Sequence, residues 1–289
     1  MWIADSWQDY ELLDSGEGMK LERWKDVVLL RPDPQVIWSY ERKPRKGEVH
    51  ARYTRSSSGG GAWSFEKKVP DFWTVSWRDL TFSLRLMGFK HTGLFPEQAV
   101  NWDWMIQKIK SSQKPVKVLN LFGYTGAATV ACASAGASVC HVDAAKNMVA
   151  VGKENLALSH LSDAPVRWIV DDCLKFVQRE IRRGNRYDGI LLDPPSYGRG
   201  PNGEVWHLED MLFPFMEQVV QVLSDEPLFV LLNSYTTGLQ PLVLRNVLEK
   251  TVVNRFGGQA DAQEIGLKQT RGNVILPCGA SGRWEKTNV

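Results

Sequence analysis

A short glycine-containing segment follows one apolar run of the sequence, and an acidic residue ends the next. In VLNLFGYTGAATVACASAGASVCHVD, Gly123 and Gly126 bracket a turn, and Asp143 closes the second run. Glycine lets a backbone approach a ligand closely at the start of a helix. A carboxylate at the end of the neighbouring strand can accept hydrogen bonds from two ribose hydroxyls. The pattern therefore predicts either a dinucleotide or a sulfonium cofactor.

The glycine spacing favours the sulfonium cofactor over the dinucleotide. It is G-x-x-G followed by Ala127 and Ala128, whereas a pyrophosphate is usually seated by G-x-G-x-x-G. Asp143 does not discriminate, because both ligand classes use such an acid. A loop that only packs against its helix stays an alternative.

Two aspartates, Asp171 and Asp172, end another apolar run, in IVDDCLKF. In a doubly wound sheet this strand end lies beside an adenine, so Asp172 can accept its exocyclic amine and the Cys173 amide can reach a ring nitrogen. Asp172 also suits the N-cap of the helix that follows. The two interpretations are compatible, and both stay open.

The segment LLDPPSYGRG ends a further apolar run in Asp193, Pro194 and Pro195. It predicts a carboxylate and a rigid turn with few hydrogen-bond donors, at the sheet edge where ligands bind. Tyr197 either stacks on a planar substrate or is an exposed loop residue. A turn that merely ends the strand is the alternative.

Strands and helices alternate from Lys117 onward, which predicts a parallel sheet built from βαβ units. Strands are expected at KVLNLF, SVCHVD, VRWIVDD, YDGILLDPP and PLFVLLNSY, with helices near 126–136, 144–160, 173–184, 207–225 and 239–256. The last two strand-like runs, AQEIGLKQ and VILPCGASGRW, are joined by only TRGN and can pair only as an antiparallel hairpin. This is the seven-stranded, Rossmann-like sheet of S-adenosylmethionine methyltransferases; dinucleotide-binding domains have a sixth parallel strand instead.

The first part of the chain differs, because its short aromatic and β-branched runs predict strands and hairpins. We expect a β-rich domain over residues 1–89 and the doubly wound domain over 90–289. Between Glu41 and Arg55 there are six basic residues and two acidic ones, although the whole chain has a net charge of only +2. This cluster indicates either an RNA-binding surface or solvated hairpins.

Composition and cysteine spacing bear on localisation, metal binding and association. No signal peptide or membrane-spanning run is recognised, so we expect a cytoplasmic protein without membrane contact. The spacing of Cys132, Cys140, Cys173 and Cys278 fits neither a zinc site nor a disulfide framework, so no metal is expected. Aromatic residues of the first hundred positions indicate either a homo-oligomer or buried hairpin cores.

The segments HTGLFPEQ, VLNLFGYTGAATVACASAGASVCHVDAAKNMV, VDDCLKF and LLDPPSYG resemble the bacterial large-subunit ribosomal RNA methyltransferase family that contains cytosine carbon-5 and guanine nitrogen-7 enzymes. The resemblance implies S-adenosylmethionine as cofactor and a role in rRNA processing. It places Asp143 at the ribose, Asp172 and Cys173 at the adenine, and Asp193 beside the transferred methyl. The residues implied for the methionine end are Phe122, Gly123, Tyr124, Thr125 and Gly126, and those implied to close over the cofactor are Thr92, Phe95 and Gln98.

The sequence departs from the cytosine enzymes of this family. Carbon-5 methylation needs a cysteine nucleophile, and in those enzymes it follows the fifth strand, where this sequence has Asn233, Ser234 and Tyr235. Enzymes acting on exocyclic amines usually carry an aromatic directly after the two prolines, whereas here Ser196 precedes Tyr197. A ring nitrogen of guanine needs no covalent catalyst and is favoured. The residues expected to be catalytic are Asp193, Pro194, Pro195, Ser196, Tyr197 and Asn233.

The sequence therefore predicts an S-adenosylmethionine-dependent methyltransferase acting on RNA. Three alternatives stay open: a methyltransferase with a small-molecule or protein substrate, an NAD-linked oxidoreductase, and a scaffold that binds RNA or a partner without turnover.

Overall fold

The computed structural model describes residues 1–56, 60–88, 90–199, 205–236 and 238–287. The chain divides into two compact units. The first unit comprises Met1, Asn101–Glu264 and the chain from Gly279 onward. The second comprises Trp2–Val100 and Ile265–Cys278. The domain boundary predicted between residues 89 and 90 stays a prediction.

Short strands dominate the first part of the described chain, and strands alternate with helices after it. In chain order the strands are β1 (Trp2–Ile3), β2 (Tyr10–Gly16), β3 (Met19–Trp24), β4 (Val27–Pro32), β5 (Ala51–Arg55), β6 (Gly61–Phe65), β7 (Trp73–Trp77), β8 (Leu80–Leu84), β9 (Lys117–Leu121), β10 (Ser138–Asp143), β11 (Val166–Val170), β12 (Gly189–Leu192), β13 (Tyr197–Arg199), β14 (Val205–His207), β15 (Phe229–Ser234), β16 (Gln259–Lys268) and β17 (Ile275–Glu285). The helices are α1 (Ala99–Ser111), α2 (Ala127–Ser134), α3 (Lys146–Leu158), α4 (Cys173–Arg183), α5 (Leu208–Val219), α6 (Pro241–Leu248) and α7 (Asn254–Phe256). Short 3-10 turns cover Pro96–Gln98 and Val220–Val222, and a π-helical turn over Glu249–Val253 joins α6 to α7.

The first unit is built on a sheet in the order β16-β17-β15-β12-β9-β10-β11. Neighbouring strands from β15 to β11 are parallel, whereas β17 runs antiparallel to β15. The chain proceeds from β9 through β10 and β11 to one side, and from β12 through β15 to the other, so the strand order reverses between β9 and β12. Ligands bind at this point in open parallel sheets. The predicted doubly wound sheet with a terminal hairpin is confirmed.

The central strands are buried because helices cover the sheet. Every residue of β12 and β15 is buried, and Ile190, Leu192, Val230 and Leu232 share one core with α4 and α5. Packing at β12 is close enough to require glycine, since a Cβ on Gly189 would lie 2.5 Å from Cζ of Phe229. Burying each large apolar side chain contributes roughly 1.5–3 kcal/mol, so the sheet is a rigid support for the loops at its edge.

The second unit is β-rich, as predicted. Strands β2 to β6 form a sheet in sequence order that is antiparallel except between β4 and β5, and β7 pairs with β8 as a separate hairpin. Inside this unit, the Arg31 guanidinium donates to both carboxylate oxygens of Glu22, at 2.7 and 2.9 Å. Burial alone would raise the pKa of Glu22, but Arg31 and Lys20 lower it to about 2 and keep the pair ionised.

Two features of the structure are absent from the sequence prediction. Strand β1 pairs in parallel with Ile265 and Gly266 of β16. Strands β13 and β14 form an antiparallel hairpin after the Asp193 turn. Strands of two or three residues are too short for a recognisable alternation of apolar and polar positions.

Within the described chain, no helix combines the length and the apolar character that a membrane span requires.

Candidate functional site

The loop between β9 and α2 has an unusual backbone. Phe122, Tyr124 and Gly126 have φ angles of 57°, 50° and 76°. Non-glycine residues seldom adopt this left-handed region, because it costs roughly 1–3 kcal/mol. Hydrogen bonds hold the loop in place: the Tyr124 amide donates to Oδ2 of Asp143 (2.8 Å), and the Gly126 amide donates to the Gly123 carbonyl (2.9 Å). A strained loop is thus fixed at the edge where the strand order reverses.

Asp143 is the main anchor of this loop. Its Oδ1 accepts a hydrogen bond from the Ala145 amide at 2.8 Å, while Oδ2 accepts from Tyr124. Burial raises the pKa of Asp143, and these two hydrogen bonds oppose that effect. Each carboxylate oxygen has a second lone pair. The oriented carboxylate therefore keeps acceptor capacity for hydroxyl groups of a ligand.

Gly123 is required by a side chain beneath the loop. A Cβ on Gly123 would lie only 2.3 Å from Cε1 of His141. The sequence pattern suggested that this glycine makes room for a ligand; in the structure the missing side chain makes room for a buried imidazole. Gly126 combines a left-handed backbone with close packing, since its Cβ would lie 3.0 Å from the Gly152 Cα.

His141 belongs to a polar chain that the sequence analysis missed. Its Nδ1 is 2.9 Å from the Thr129 hydroxyl, which accepts a hydrogen bond from the Asn120 side-chain amide at 2.9 Å. The imidazole packs on the Trp168 ring with centroids 4.7 Å apart. Burial lowers the pKa of His141 to about 3, so the ring is neutral at physiological pH. The neutral imidazole fills the space beneath the loop and is held there by these contacts.

The Asp172 and Cys173 pair begins α4. Asp172 has an extended backbone, and its Oδ1 accepts from the Lys175 amide at 2.9 Å, which is the predicted N-cap. The Cys173 thiol accepts from the Phe122 amide at 3.3 Å and donates to the Val142 carbonyl at 3.8 Å. Burial raises the pKa of this thiol above its usual range. The side chain of Cys173 thus ties α4 to the loop, in addition to the backbone role that the sequence predicts.

Two substitutions of Asp172 separate capping from ligand binding. Asp172→Ala removes the cap and is expected to cost about 1 kcal/mol, which lowers the thermal midpoint by roughly 2 °C in a chain of this size. Asp172→Ser keeps an N-cap oxygen and should restore most of the midpoint. If the carboxylate also contacts an adenine, both variants weaken cofactor binding to a similar extent in calorimetric titration. Equal midpoints for the two variants would contradict the capping role.

The turn after β12 is held from two sides. The Pro195 carbonyl accepts from the Trp206 indole N–H at 2.7 Å, and the Ser196 carbonyl accepts from the Leu208 amide at 3.1 Å. From the segment after β15, the Thr236 hydroxyl donates to the Ser196 hydroxyl at 2.6 Å. Asp193 and Pro194 precede this anchored stretch, and the carboxyl end of β12 therefore has a defined conformation.

Aromatic contacts bring this turn to the glycine loop. The Trp206 ring, whose indole N–H holds Pro195, packs on Phe122 with centroids 5.5 Å apart. Phe215 of α5 contacts both rings, at 5.8 and 5.9 Å. Tyr197 is 48% exposed and packs edge-on against His207 at 5.1 Å. The structure therefore places the Phe122 loop and the turn containing Tyr197 at one edge of the sheet.

Asn233 lies in a buried polar network. Its Oδ1 accepts from the Ser281 hydroxyl at 2.7 Å and from the side-chain NH2 group of Asn101 at 3.3 Å. The Arg283 guanidinium donates to the side-chain oxygen Oδ1 of Asn101 at 2.7 Å. Burial lowers the pKa of Arg283 to about 10. Asn101, Ser281 and Arg283 were not predicted, because they come from α1 and β17, far from Asn233 in sequence.

Thr92, Phe95 and Gln98 belong to the second unit. Thr92 and Gln98 are buried, and the Gln98 amide donates to the Phe95 carbonyl at 3.1 Å within the turn that precedes α1. The next carbonyl, of Pro96, accepts from the Trp7 indole at 2.8 Å. The turn is well anchored in its own unit, and a contact of these residues with a cofactor stays a prediction.

Known proteins match this chain over most of its length. Residues 38–220 match the S-adenosylmethionine-dependent methyltransferase family. Over 195 residues (65% of this chain) the sequence is 37% identical to ribosomal RNA large subunit methyltransferase K/L of Shewanella sp. (strain MR-4). The match covers 25% of that protein, so the chain spans about a quarter of the length of the curated relatives it matches.

Solved structures agree with this assignment. The chain is similar to the SAM-dependent methyltransferase from Agrobacterium tumefaciens, with 36% identity and a TM-score of 0.93, covering 99% of this chain and 93% of that one. A protein described as a SAM-dependent methyltransferase from Streptococcus mutans shares the fold, with 19% identity, a TM-score of 0.75 and coverage of 97% and 76%. The chain therefore belongs to the S-adenosylmethionine-dependent methyltransferase family, whose methyl donor is S-adenosylmethionine.

Proposed function

We propose that this chain methylates a base of ribosomal RNA, and that a ring nitrogen of guanine is a better target than carbon 5 of cytosine. The name of the Shewanella relatives supports an RNA substrate. The observation that carries the choice of atom is Asn233 at the end of β15, where the cytosine enzymes that the sequence resembles have a cysteine.

The state of the thiols supports this choice. Cytosine carbon-5 chemistry needs a thiolate that attacks the ring. Cys132, Cys140 and Cys173 are buried, and Cys278 belongs to the second unit. Burial raises the pKa of all four thiols. A ring nitrogen with a lone pair avoids the need for such a nucleophile.

The residues around the glycine loop fit S-adenosylmethionine. Loop amides near Gly126 suit the polar methionine end, and the oriented carboxylate of Asp143 suits the two ribose hydroxyls. Asp172 can accept the adenine amine, and Cys173, as the first residue of α4, carries an amide with no intrahelical acceptor. When bound, the cofactor supplies an electrophilic methyl group. Thr92, Phe95 and Gln98 are assigned to it by family resemblance.

On the substrate side, the chain's contribution is positioning. The Asp193 carboxylate would accept a hydrogen bond from a base N–H, and the Tyr197 ring would stack on the base. Pro194 and Pro195 would hold the turn, and Ser196 would supply a hydroxyl group in it. Asn233, whose Oδ1 is bonded to Ser281 and Asn101, would act by orienting the end of β15. Such placement and a fixed polar environment supply most of the rate in a displacement that needs no prior proton removal.

Transfer of label identifies the substrate class. The purified chain is incubated with methyl-tritiated S-adenosylmethionine and a lysate of its host lacking the gene, and the label is then fractionated. We expect label in large ribosomal RNA, on guanine after nucleoside digestion, and much less with Asp193→Ala. Label only in protein or small molecules would reject the RNA substrate and keep the enzyme class. Cofactor binding with no transfer to any fraction would indicate a scaffold.

A further inference from the structure

We propose that a cleft in the second unit binds the phosphate backbone of RNA, an inference that rests on the proposed function. The cleft has a volume of about 510 Å³ and is lined by Pro44, Arg45, Lys46, Gly47, Val49, Arg52 and Glu66. Three of these side chains are cationic and one is anionic. We call it the basic cleft.

A tight turn presents two of the cations. The Glu48 amide donates to the Arg45 carbonyl at 3.0 Å, and Gly47 between them has a φ of 76°. A positive φ at the third residue of a four-residue turn is typical of a type II turn and favours glycine. Val49, directly after the turn, is buried. Arg45 and Lys46 are therefore exposed on a turn anchored to the core of the unit.

Glu48 fixes the turn without neutralising its exposed cations. Its carboxylate accepts from the Arg45 backbone amide at 2.9 Å, from the Arg42 guanidinium at 3.0 Å and from the Arg271 guanidinium at 2.5 Å. The negative charge of Glu48 is thus compensated by Arg42 and Arg271. The backbone of the turn is therefore preorganised and loses little conformational entropy when a ligand binds.

The charge that remains in the basic cleft is suited to an anion. Arg52 approaches Glu66 at 3.9 Å. Over the described part of the chain, neither the Arg45 guanidinium nor the Lys46 ammonium has a carboxylate within ion-pair distance. Phosphate groups of RNA match adjacent exposed cations, because their neutralisation releases condensed counterions.

A second basic cluster of the chain, formed by Arg179, Arg182, Arg183 and Arg186, is different. It lies in the first unit, where Arg179 forms an ion pair with Asp171, and Arg183 lies 3.1 Å from Glu180. These pairs compensate much of its charge.

An exposed aromatic residue favours RNA over a smaller anion. Phe65 ends β6 immediately before Glu66 of the basic cleft, and its side chain is 61% exposed. Sites for single-stranded nucleic acid combine a cationic groove with aromatic rings on which bases stack. An isolated phosphate would use only the cations.

A matched pair of variants tests the basic cleft. Arg45→Ala/Lys46→Ala removes two charges from it, and Arg182→Ala/Arg186→Ala removes two from exposed positions at and after the end of α4. Binding of a fluorescein-labelled oligouridylate is followed by anisotropy over a KCl series. We expect the first variant to bind about tenfold more weakly at low salt. The slope of the logarithm of its binding constant against the logarithm of the KCl concentration should become shallower by about 1.4, at ~0.7 per lost phosphate contact. The control should resemble the wild type.

Several outcomes would overturn the proposal. The first is an unchanged RNA affinity and salt slope in the cleft variant. The second is an equal loss of affinity in the control, because binding would then depend on total charge alone. Binding of the wild type to phosphatidylserine vesicles but not to RNA would also reject it. The labelling experiment is independent: cleft-dependent RNA binding without label in RNA would support the cleft and reject the proposed substrate. Circular dichroism confirms that each variant is folded.

Discussion

Asp143→Ala is expected to weaken S-adenosylmethionine binding by at least about 100-fold, measured by calorimetric titration of the purified chain. The carboxylate accepts hydrogen bonds from the Tyr124 and Ala145 amides. Hydrogen bonds to a charged group are each worth roughly 1.5–3 kcal/mol, so alanine leaves two partly buried donors unpaired and releases a strained backbone. If the carboxylate also holds the ribose hydroxyls, those bonds are lost as well.

Two further variants make this result specific. Asp143→Asn keeps one oxygen acceptor but places an NH2 group against a backbone donor, so an intermediate affinity is expected. Asp163→Ala removes an exposed carboxylate from the loop before β11 and should bind like the wild type. Wild-type affinity in Asp143→Ala would show that neither the loop geometry nor the cofactor depends on this residue.

Gly123→Ala is expected to lower the thermal midpoint substantially and to abolish cofactor binding. The added Cβ would lie 2.3 Å from His141 Cε1 and 2.5 Å from Nδ1. The imidazole cannot move aside easily, because it packs on Trp168 and bonds to Thr129. Overpacking of a buried site typically costs about 1–3 kcal/mol. The loop must then lift, and the bond from the Tyr124 amide to Asp143 is broken.

A double-mutant cycle isolates this steric cause. His141→Ala opens a cavity and is destabilising on its own, but Gly123→Ala should then cost little in its background. The expected coupling is about 1–3 kcal/mol, read from midpoint shifts. Gly88→Ala, where nothing lies within 4 Å of the new Cβ, controls for glycine replacement in general. Additive effects of the two substitutions would contradict the proposed clash.

Local sequence patterns were sufficient for the architecture of the first unit. Apolar runs of strand length, separated by helical segments, require parallel strands joined by crossovers, and such crossovers have one hand. This logic places the ends of β9, β10 and β12 at one edge of the sheet, and the short TRGN connection allows only the closing hairpin that the structure contains. The Asp172 cap was also predictable, because an N-cap depends on neighbouring residues alone.

The contacts that hold the site depend on residues distant in sequence. The His141 ring beneath Gly123, the Cys173 thiol on the Phe122 amide, and the bond from Ser281 to Asn233 each join different elements. His141 and Ser281 are locally ordinary strand residues, and the IVDDCLKF motif predicts only a backbone role for Cys173, so no local pattern indicates these side-chain contacts. The β13 and β14 hairpin was missed because three residues give no periodic signal.

The sequence by itself therefore determined the fold class and the order of the loops along the sheet edge, because these follow from periodicity and local backbone preference. The family was indicated by the resemblance of its motifs. The tertiary structure decided why Gly123 must be glycine, which thiol anchors the loop and which side chains orient Asn233. It also decided which basic residues remain uncompensated in the basic cleft. Those properties depend on side chains meeting across elements, where packing distance and burial set the energies.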